Sequence, residues 1–387
     1  MKNIFYWSPF LSKVATIKAV INSAHSINKY LDNNLYKTII IDAVHEWSDY
    51  EKLLREKKID LIYLNKKSIF KLLNKNGFVM SRLSYIYIFF KSFFSLNKLL
   101  SKKKPEFLII HLITSLPLIL FCFYKYETKL ILRISGLPKM NFFRKILWRI
   151  ASKNIYKITC PTNDTCKDLL KYDFLKDKLI VLNDPVININ DINISKKNNP
   201  KFDDKILDIV NNKNFFLSIG RFTKQKNYPF YLNCIPEILK LDQELFFLFI
   251  GKGEDKKKIL EISNKMNISD RIFIIDHTEN VHFYMKKAQA LVLPSLWEDP
   301  GFVLIEAGYN NCQVISSNCP NGPSEIIGDD GGYLFESNSK NSLIKTINFF
   351  LKDSLENKIS KKITLKKRLK NFTSFKHATN LKNKILN

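Results

Sequence analysis

Twice along this chain, short apolar segments alternate with stretches in which apolar residues recur three or four apart, and that double alternation limits the fold more than any other feature. In the first half the β-like segments fall at 3–7, 38–41, 61–64, 107–111, 129–134, 155–160 and 179–182, with helical stretches such as 14–31 and 142–158 between them. Alternation of this kind predicts a parallel sheet covered by helices on both faces. The pattern lapses at 188–213, where 188–199 (NINDINISKKNN) is polar and rich in Asn and Lys. It resumes with β-like segments at 215–219, 245–250, 271–275, 290–293 and 313–316. The expected fold is α/β, with two doubly wound Rossmann-like domains facing a central cleft. The first covers 1–187, a linker 188–213, the second 214–365, and 366–387 forms a C-terminal helix crossing back to the first domain. A length of 387 residues, 45% of them apolar, suits two such cores.

In open α/β sheets ligands bind beyond the carboxyl ends of the strands, so the loops there carry the search for chemistry. The segment 291–308 (LVLPSLWEDPGFVLIEAG) runs from a strand into a helix. Asp299 is well typed for the N-cap and Pro300 for the first helical position. The amides of Gly301, Phe302 and Val303 would then face outward from a positive helix end, a cradle for phosphate. Glu298 before the helix and Glu306 within it can accept hydrogen bonds from the paired hydroxyls of a sugar or a ribose. Segment 216–229 (FLSIGRFTKQKNYP) places Gly220, Arg221 and Lys226 after another strand, and two cations there can neutralise a diphosphate leaving group. Segment 248–255 (LFIGKGED) adds Gly251 and Gly253, which with Gly220 are candidate donor contacts. It is no dinucleotide fingerprint, since Lys256 stands where a third glycine would be required. Each segment alone also fits an ordinary capped helix, surface loop or tight turn.

Together they resemble glycosyltransferase family 4, the retaining enzymes of the GT-B fold. The residues that carry the resemblance are Gly220-Arg221-x4-Lys226, Gly251-x-Gly253, Glu298-x7-Glu306 and 318–327 (NCPNGPSEII). In the first half, 133–139 (RISGLPK), 160–165 (CPTNDT) and 181–186 (VLNDPV) are similar to the family's strand-end loops. The resemblance implies that Arg221 and Lys226 hold the donor diphosphate and that Glu298 contacts the transferred sugar. It puts the amides of Gly301 and Phe302 near the phosphate and Glu306 on the ribose diol. His111 matches a family position facing the sugar, with a satisfied core histidine as the competing reading. No bound metal or other cofactor is implied, and the chain contains no Asp-x-Asp. One departure stands out: the loop 8–16 (SPFLSKVAT) lacks the glycine pair that many relatives carry after the first strand.

Charge bears on partners rather than fold. The net charge is +26, and residues 1–195 hold 32 cations against 15 acids. No acid occurs in 61–105, which has ten cations, or in 128–163, which has eight. Segment 80–104 interleaves Tyr85, Tyr87, Phe89, Phe90, Phe93 and Phe94 with lysines, and 139–157 holds six cations with Phe142, Phe143, Ile146, Leu147 and Ile150 at helical spacing. A basic amphipathic surface of this kind suits an anionic membrane carrying a lipid-linked acceptor; solvated lysines over an ordinary core are the alternative. No nucleic-acid-binding module is present, so nucleic acid is not expected as a partner.

The six cysteines show no C-x-x-C or zinc-like spacing and read as reduced thiols of a cytoplasmic protein. The N-terminus MKNIFYWSPF lacks a signal peptide's apolar run. Segment 107–124 is at the lower length limit for a membrane span and contains His111 and Pro117, so a buried strand followed by a buried helix is expected there.

The reading is therefore a retaining glycosyltransferase at the inner face of the plasma membrane. It would move a hexose or N-acetylhexosamine from a nucleotide-sugar, UDP-linked by preference, to a glycan or lipid-linked acceptor in lipopolysaccharide, O-antigen or capsule assembly. A non-catalytic protein that keeps the fold, or a basic nucleic-acid-binding protein, are the rival classes. Intact Arg221, Lys226, Glu298 and Glu306 argue against the first.

Overall fold

In the computed structural model every described strand pairs in parallel, which accounts for the nearly continuous apolar runs. A strand covered by helices on both sides buries side chains from both faces, so little polar alternation is left in its sequence. The structure describes all residues except 13–14, 67, 74–77, 191, 194–203, 277 and 279. The chain divides into two units, one of residues 1–186 and 373–387, the other of 187–372.

The sheet of the first unit holds β1 (Lys2–Trp7), β2 (Tyr36–Asp42), β3 (Asp60–Tyr63), β4 (Phe107–Ile110), β5 (Lys129–Arg133), β6 (Ile155–Cys160) and β7 (Leu179–Val181). Their spatial order is β3-β2-β1-β4-β5-β6-β7. β1 shows the two-sided burial directly. Ile4 and Tyr6 enter one core with the helix Ala15–Tyr30. Phe5 and Trp7 enter another, filled by the helices Phe78–Lys103, Ser115–Phe123 and Phe142–Ala151. Ile17, Val20, Ile21 and Ile27 of the helix Ala15–Tyr30 are almost wholly buried, and each contributes roughly 1.5–3 kcal/mol by leaving water.

The second unit's sheet holds β8 (Phe215–Ile219), β9 (Phe246–Ile250), β10 (Ile272–Ile275), β11 (Ala290–Leu293), β12 (Gln313–Ser317) and β13 (Tyr333–Phe335), in the order β10-β9-β8-β11-β12-β13. Its core is aromatic, with Phe216, Phe222, Tyr228, Tyr231, Phe247 and Phe249 buried together. The order reverses between β1 and β4 in the first sheet and between β8 and β11 in the second. These switch points are where a doubly wound sheet opens a crevice at its carboxyl edge.

Three features differ from the sequence expectation. β13 was not foreseen, because three residues after Gly331 and Gly332 are too few to register as an apolar run. The helical reading of 142–158 overran: the helix closes at Ala151 and Ile155 already belongs to β6. The single helix expected over 366–387 is several elements. Leu355–Arg368 belongs to the second unit, Leu369–Phe372 is a 3-10 turn, and Thr373 then caps a new helix, Ser374–Leu381, in the first unit. Leu381, Ile385 and Leu386 join the same core as the helix Ala15–Tyr30.

Much of the linker expected at 188–213 lies outside the described residues; within it, Asp204–Asn212 is helical. Residues 107–124 form β4 and the helix Ser115–Phe123. Among the described residues no helix is long and apolar enough to cross a membrane. All six cysteines are free thiols.

Candidate active site

At the switch point of the second sheet, the loops after β8 and β11 meet through an ion pair. Lys226 Nζ donates to Glu298 Oε1 at 2.6 Å, with the two side chains 13% and 4% exposed. The hydroxyl of Ser295, wholly buried, donates to the same carboxylate oxygen at 2.5 Å. Asn321 Nδ2 donates to the Glu298 carbonyl at 2.9 Å, and the Glu298 amide donates to the Pro320 carbonyl at 3.1 Å. A buried carboxylate is tolerable only when paired and hydrogen-bonded. The Glu298 carboxylate meets that condition through Lys226 from the loop after β8 and Ser295 from its own loop, while the loop after β12 holds its backbone.

Gly220 is what lets Lys226 reach. A Cβ at Gly220 would lie 2.9 Å from Lys226 Cε and 3.1 Å from the Tyr228 hydroxyl, so any side chain would displace the lysine stem. The loop is tied across the sheet as well: Gln225 Nε2 donates to the Trp297 carbonyl at 3.0 Å, and the Leu296 amide to the Gln225 carbonyl at 2.9 Å. Arg221, on the same loop, is exposed. Gly251 and Gly253 have a packing role. A Cβ at Gly251 would fall 1.9 Å from the Gly220 carbonyl oxygen, and one at Gly253 would fall 2.2 Å from that of Phe222. These two glycines, expected to contact a donor, allow the backbone after β9 to press against the backbone that carries Arg221.

The helix after β11 starts later than the sequence suggests. It spans Phe302–Tyr309, and its cap is Gly301 in the left-handed region at φ 98°, with no side-chain cap bond. The cap position thus falls at Gly301 rather than at Asp299. Asn321 Nδ2 approaches the Asp299 carboxylate at 3.4 Å instead, which draws that side chain toward the loop after β12. Gly322 completes this contact, since a Cβ there would stand 2.0 Å from the Pro300 carbonyl oxygen. The amides of Phe302 and Val303 remain in the first turn, where helix geometry supplies no intrahelical acceptor and the dipole favours an anion. Phe302, Val303 and Glu306 are all half-buried, whereas Leu304, Ile305, Ala307 and Gly308 face the interior. The helical period therefore puts the side chains of Phe302, Val303 and Glu306 on the more accessible face, while the first-turn amides point out of the helix's amino end. Ser295, Asn321 and Gly322 were not singled out from sequence as site residues. The signal for the last two lay in 318–327, but their target is a backbone carbonyl, which no spacing reveals.

His111 belongs to the first unit, at the end of β4 beside β1, where its amide donates to the Trp7 carbonyl at 3.0 Å. It is 5% exposed, and neither ring nitrogen has a hydrogen-bond partner among the described residues. Burial, then the nearby Arg133 guanidinium and His377, hold its pKa well below the usual histidine value, so the ring is neutral. The buried Ser8 hydroxyl after β1 is likewise unpartnered. On neighbouring β5, Arg133 is ion-paired with the buried Asp184 and donates to Ser135 Oγ at 3.2 Å. An unpaired buried polar group costs about 1–3 kcal/mol, and these groups lie at the carboxyl edge of the sheet, where doubly wound folds take their ligands. Residues 13–14 of the glycine-free loop 8–16 lie outside the described residues.

Comparison with known proteins bears on the fold and on the kind of protein. Residues 200–367 match the family model described as Glycosyl transferases group 1. An uncharacterised glycosyltransferase of Methanocaldococcus jannaschii is 27% identical over 333 residues, 81% of this chain and 77% of that protein. The UDP-Gal:alpha-D-GlcNAc-diphosphoundecaprenol alpha-1,3-galactosyltransferase of Escherichia coli is 25% identical over 294 residues, 70% of this chain and 73% of that one. Two further relatives are matched over 40% and 36% of their lengths. Among solved structures, a glycosyltransferase from Rickettsia africae superposes with a TM-score of 0.75 at 16% identity, covering 98% of this chain and 97% of its own. The two parallel sheets match those of GT-B glycosyltransferases. Fold and family match together support a place in the GT-B superfamily, and the chain is a glycosyltransferase.

Proposed function

We propose that this protein is a retaining enzyme of family 4 that moves a hexose or N-acetylhexosamine from a UDP-sugar to a glycan or lipid-linked acceptor in cell-surface polysaccharide assembly. The observation that carries the proposal is the buried Lys226–Glu298 pair beside the Gly301 cap at the switch point of the second sheet. In this reading Arg221 and Lys226 neutralise the departing diphosphate, aided by the amides of Gly301 and Phe302 and the positive end of their helix. Glu298 meets hydroxyls of the transferred sugar and Glu306 the ribose diol. His111 takes the sugar contact that the family resemblance implies, and its unpartnered ring nitrogens support a ligand there. The acceptor hydroxyl attacks from the face the leaving group departs, with no metal required. The lipid-linked acceptor and the UDP donor follow the name of the Escherichia coli relative.

Turnover of a panel of UDP- and GDP-sugars, read by mass spectrometry with and without EDTA, tests the reading. UDP-sugar consumption that survives the chelator and yields an α-linked product by NMR is expected. A chain that binds no nucleotide-sugar, or turns over only GDP-sugars, overturns it.

The first unit is further proposed to sit on an anionic membrane surface. The sequence left open whether its aromatic stretches face the core, and the structure puts one set of them outside. Val79, Leu83, Ile86, Phe90 and Phe94 share an exposed stripe on the helix Phe78–Lys103, while Ile88, Leu96 and Leu100 fill the core from its other side. Phe142, Phe143, Ile146 and Ile150 are exposed on a second basic helix. Exposed apolar stripes flanked by cations suit a bilayer interface. Salt-insensitive failure to co-sediment with phosphatidylglycerol vesicles would remove this part of the proposal.

A further inference from the structure

The second unit carries a basic cavity at the opposite rim of its sheet from the Lys226–Glu298 pair. It has a volume of about 560 Å³ and lies where Gln289 leads into β11 and Gln313 begins β12, at the amino ends of these strands. Lys352, Lys358 and Lys362 line it, against a single carboxylate, that of Asp242. None of the three lysines is within ion-pair distance of a carboxylate among the described residues. Lys358 and Lys362 are half-buried. Lys358 is also held in place, for its Nζ rests 4.7 Å from the centre of the Phe350 ring and its carbonyl accepts from the buried Gln313 Nε2 at 2.7 Å.

The wall of this cavity is the helix Leu355–Arg368, which has six cations and one acid. Leu355, Ile359 and Ile363, at four-residue spacing on it, are 74%, 47% and 51% exposed. Leu355 and Ile359 also line the cavity, so cationic groups and an uncovered apolar strip meet at its mouth. Three ammonium groups gathered without matching carboxylates repel one another, and a dianion relieves that repulsion. The volume falls within the roughly 300–1,000 Å³ usual for small-molecule sites.

We propose that this cavity binds a phosphate ester whose phosphate is held by Lys352, Lys358 and Lys362 and whose apolar portion lies along Leu355 and Ile359. The ligand is either the head group of an anionic lipid or a soluble phosphorylated molecule. The site is independent of the donor reading: a chain that bound no nucleotide-sugar would still possess it.

Acetylation footprinting of the full-length protein, read lysine by lysine by mass spectrometry, tests the proposal and separates the two sources. One arm adds phosphatidylglycerol vesicles, with phosphatidylcholine vesicles as control. The other adds inorganic pyrophosphate, with sodium chloride at equal ionic strength as control. At least threefold slower labelling of Lys352, Lys358 and Lys362 is expected in one arm and not in its control. Protection by vesicles alone assigns a lipid head group, and protection by pyrophosphate a soluble phosphate. The triple variant K352Q/K358Q/K362Q should lose the corresponding binding while keeping its melting temperature. Unchanged labelling in both arms, or protection that sodium chloride reproduces, overturns the proposal.

Discussion

Lys226 and Glu298 are separated by 72 positions and joined by one hydrogen bond, so the fate of each depends on the other. Replacing Lys226 by alanine leaves a carboxylate that is 3% exposed without its counter-charge. Breaking a buried pair in this way costs about 3–5 kcal/mol, and chemical denaturation should show a loss of that size. The double variant K226M/E298Q should recover much of the stability and none of the transfer activity. That split would show that the pair's contribution to chemistry is distinct from its contribution to folding. His111 gives the opposite contrast. Phenylalanine there removes two unpartnered ring nitrogens while keeping a buried ring, so melting temperature should hold or rise while turnover falls at least tenfold. A clear drop in stability would mean that those nitrogens have partners in solution.

At the scale of elements, the helix Phe302–Tyr309 is positioned by what presses on its far side. A Cβ at Gly308 would lie 2.5 Å from Leu365 Cδ2, 2.8 Å from Leu365 Cγ and 2.9 Å from Leu369 Cδ1. Gly308→Ala must therefore push the helix Leu355–Arg368 away or shift the helix that bears Glu306. Overpacking of this kind costs roughly 1–3 kcal/mol. The expected result is a lower melting temperature with a raised KM for nucleotide-sugar, partly restored by adding Leu365→Ala. The helix Phe78–Lys103 makes a different prediction, because its exposed stripe supports no core. Phe90→Ser with Phe94→Ser should change stability by no more than about 0.5 kcal/mol per site, yet weaken co-sedimentation with anionic vesicles severalfold. Equal vesicle binding by variant and parent would exclude the stripe as a contact.

For the whole molecule the telling segment is 373–387, which belongs to the first unit although the chain has by then traversed the second. His377 anchors it. Its Nδ1–H donates to the Asn183 carbonyl at 2.8 Å, so Nε2 accepts from Ser23 Oγ at 2.9 Å, and the Tyr6 hydroxyl donates in turn to Ser23 Oγ at 3.0 Å. That chain of donors requires a neutral ring. Burial first, and Arg133 as a further contributor, outweigh the Asn183 carbonyl and Asp184 and lower the His377 pKa to about 4. A depressed histidine pKa means that the folded state prefers the neutral form. The anchoring is therefore intact above the ordinary value of about 6.5 and is lost as pH falls from there toward 4. Stability should drop by up to about 3 kcal/mol across that window, and His377→Gln should flatten the dependence in denaturant titrations at a series of pH values. Truncation after Phe372 should expose the face of the helix Ala15–Tyr30 that Leu381 and Ile385 cover, raising dye binding and lowering the melting temperature.

The sequence by itself determined the number of units, twelve of the thirteen strands and the residue types gathered at the strand ends. Each of these rests on periodicity or on local backbone preference, which act over a few neighbours. It also singled out Glu298, Arg221 and Lys226 as candidates for holding a diphosphate donor. What it left to tertiary structure was the pairing of Glu298 with Lys226 and Ser295, the role of Gly251 and Gly253 as seats for another backbone, and the start of the helix at Phe302 rather than Pro300. It also left open which face of the helix Phe78–Lys103 meets the core and where the last residues dock. Those outcomes depend on groups far apart in the chain competing for the same space or the same hydrogen, and only the folded arrangement decides that competition.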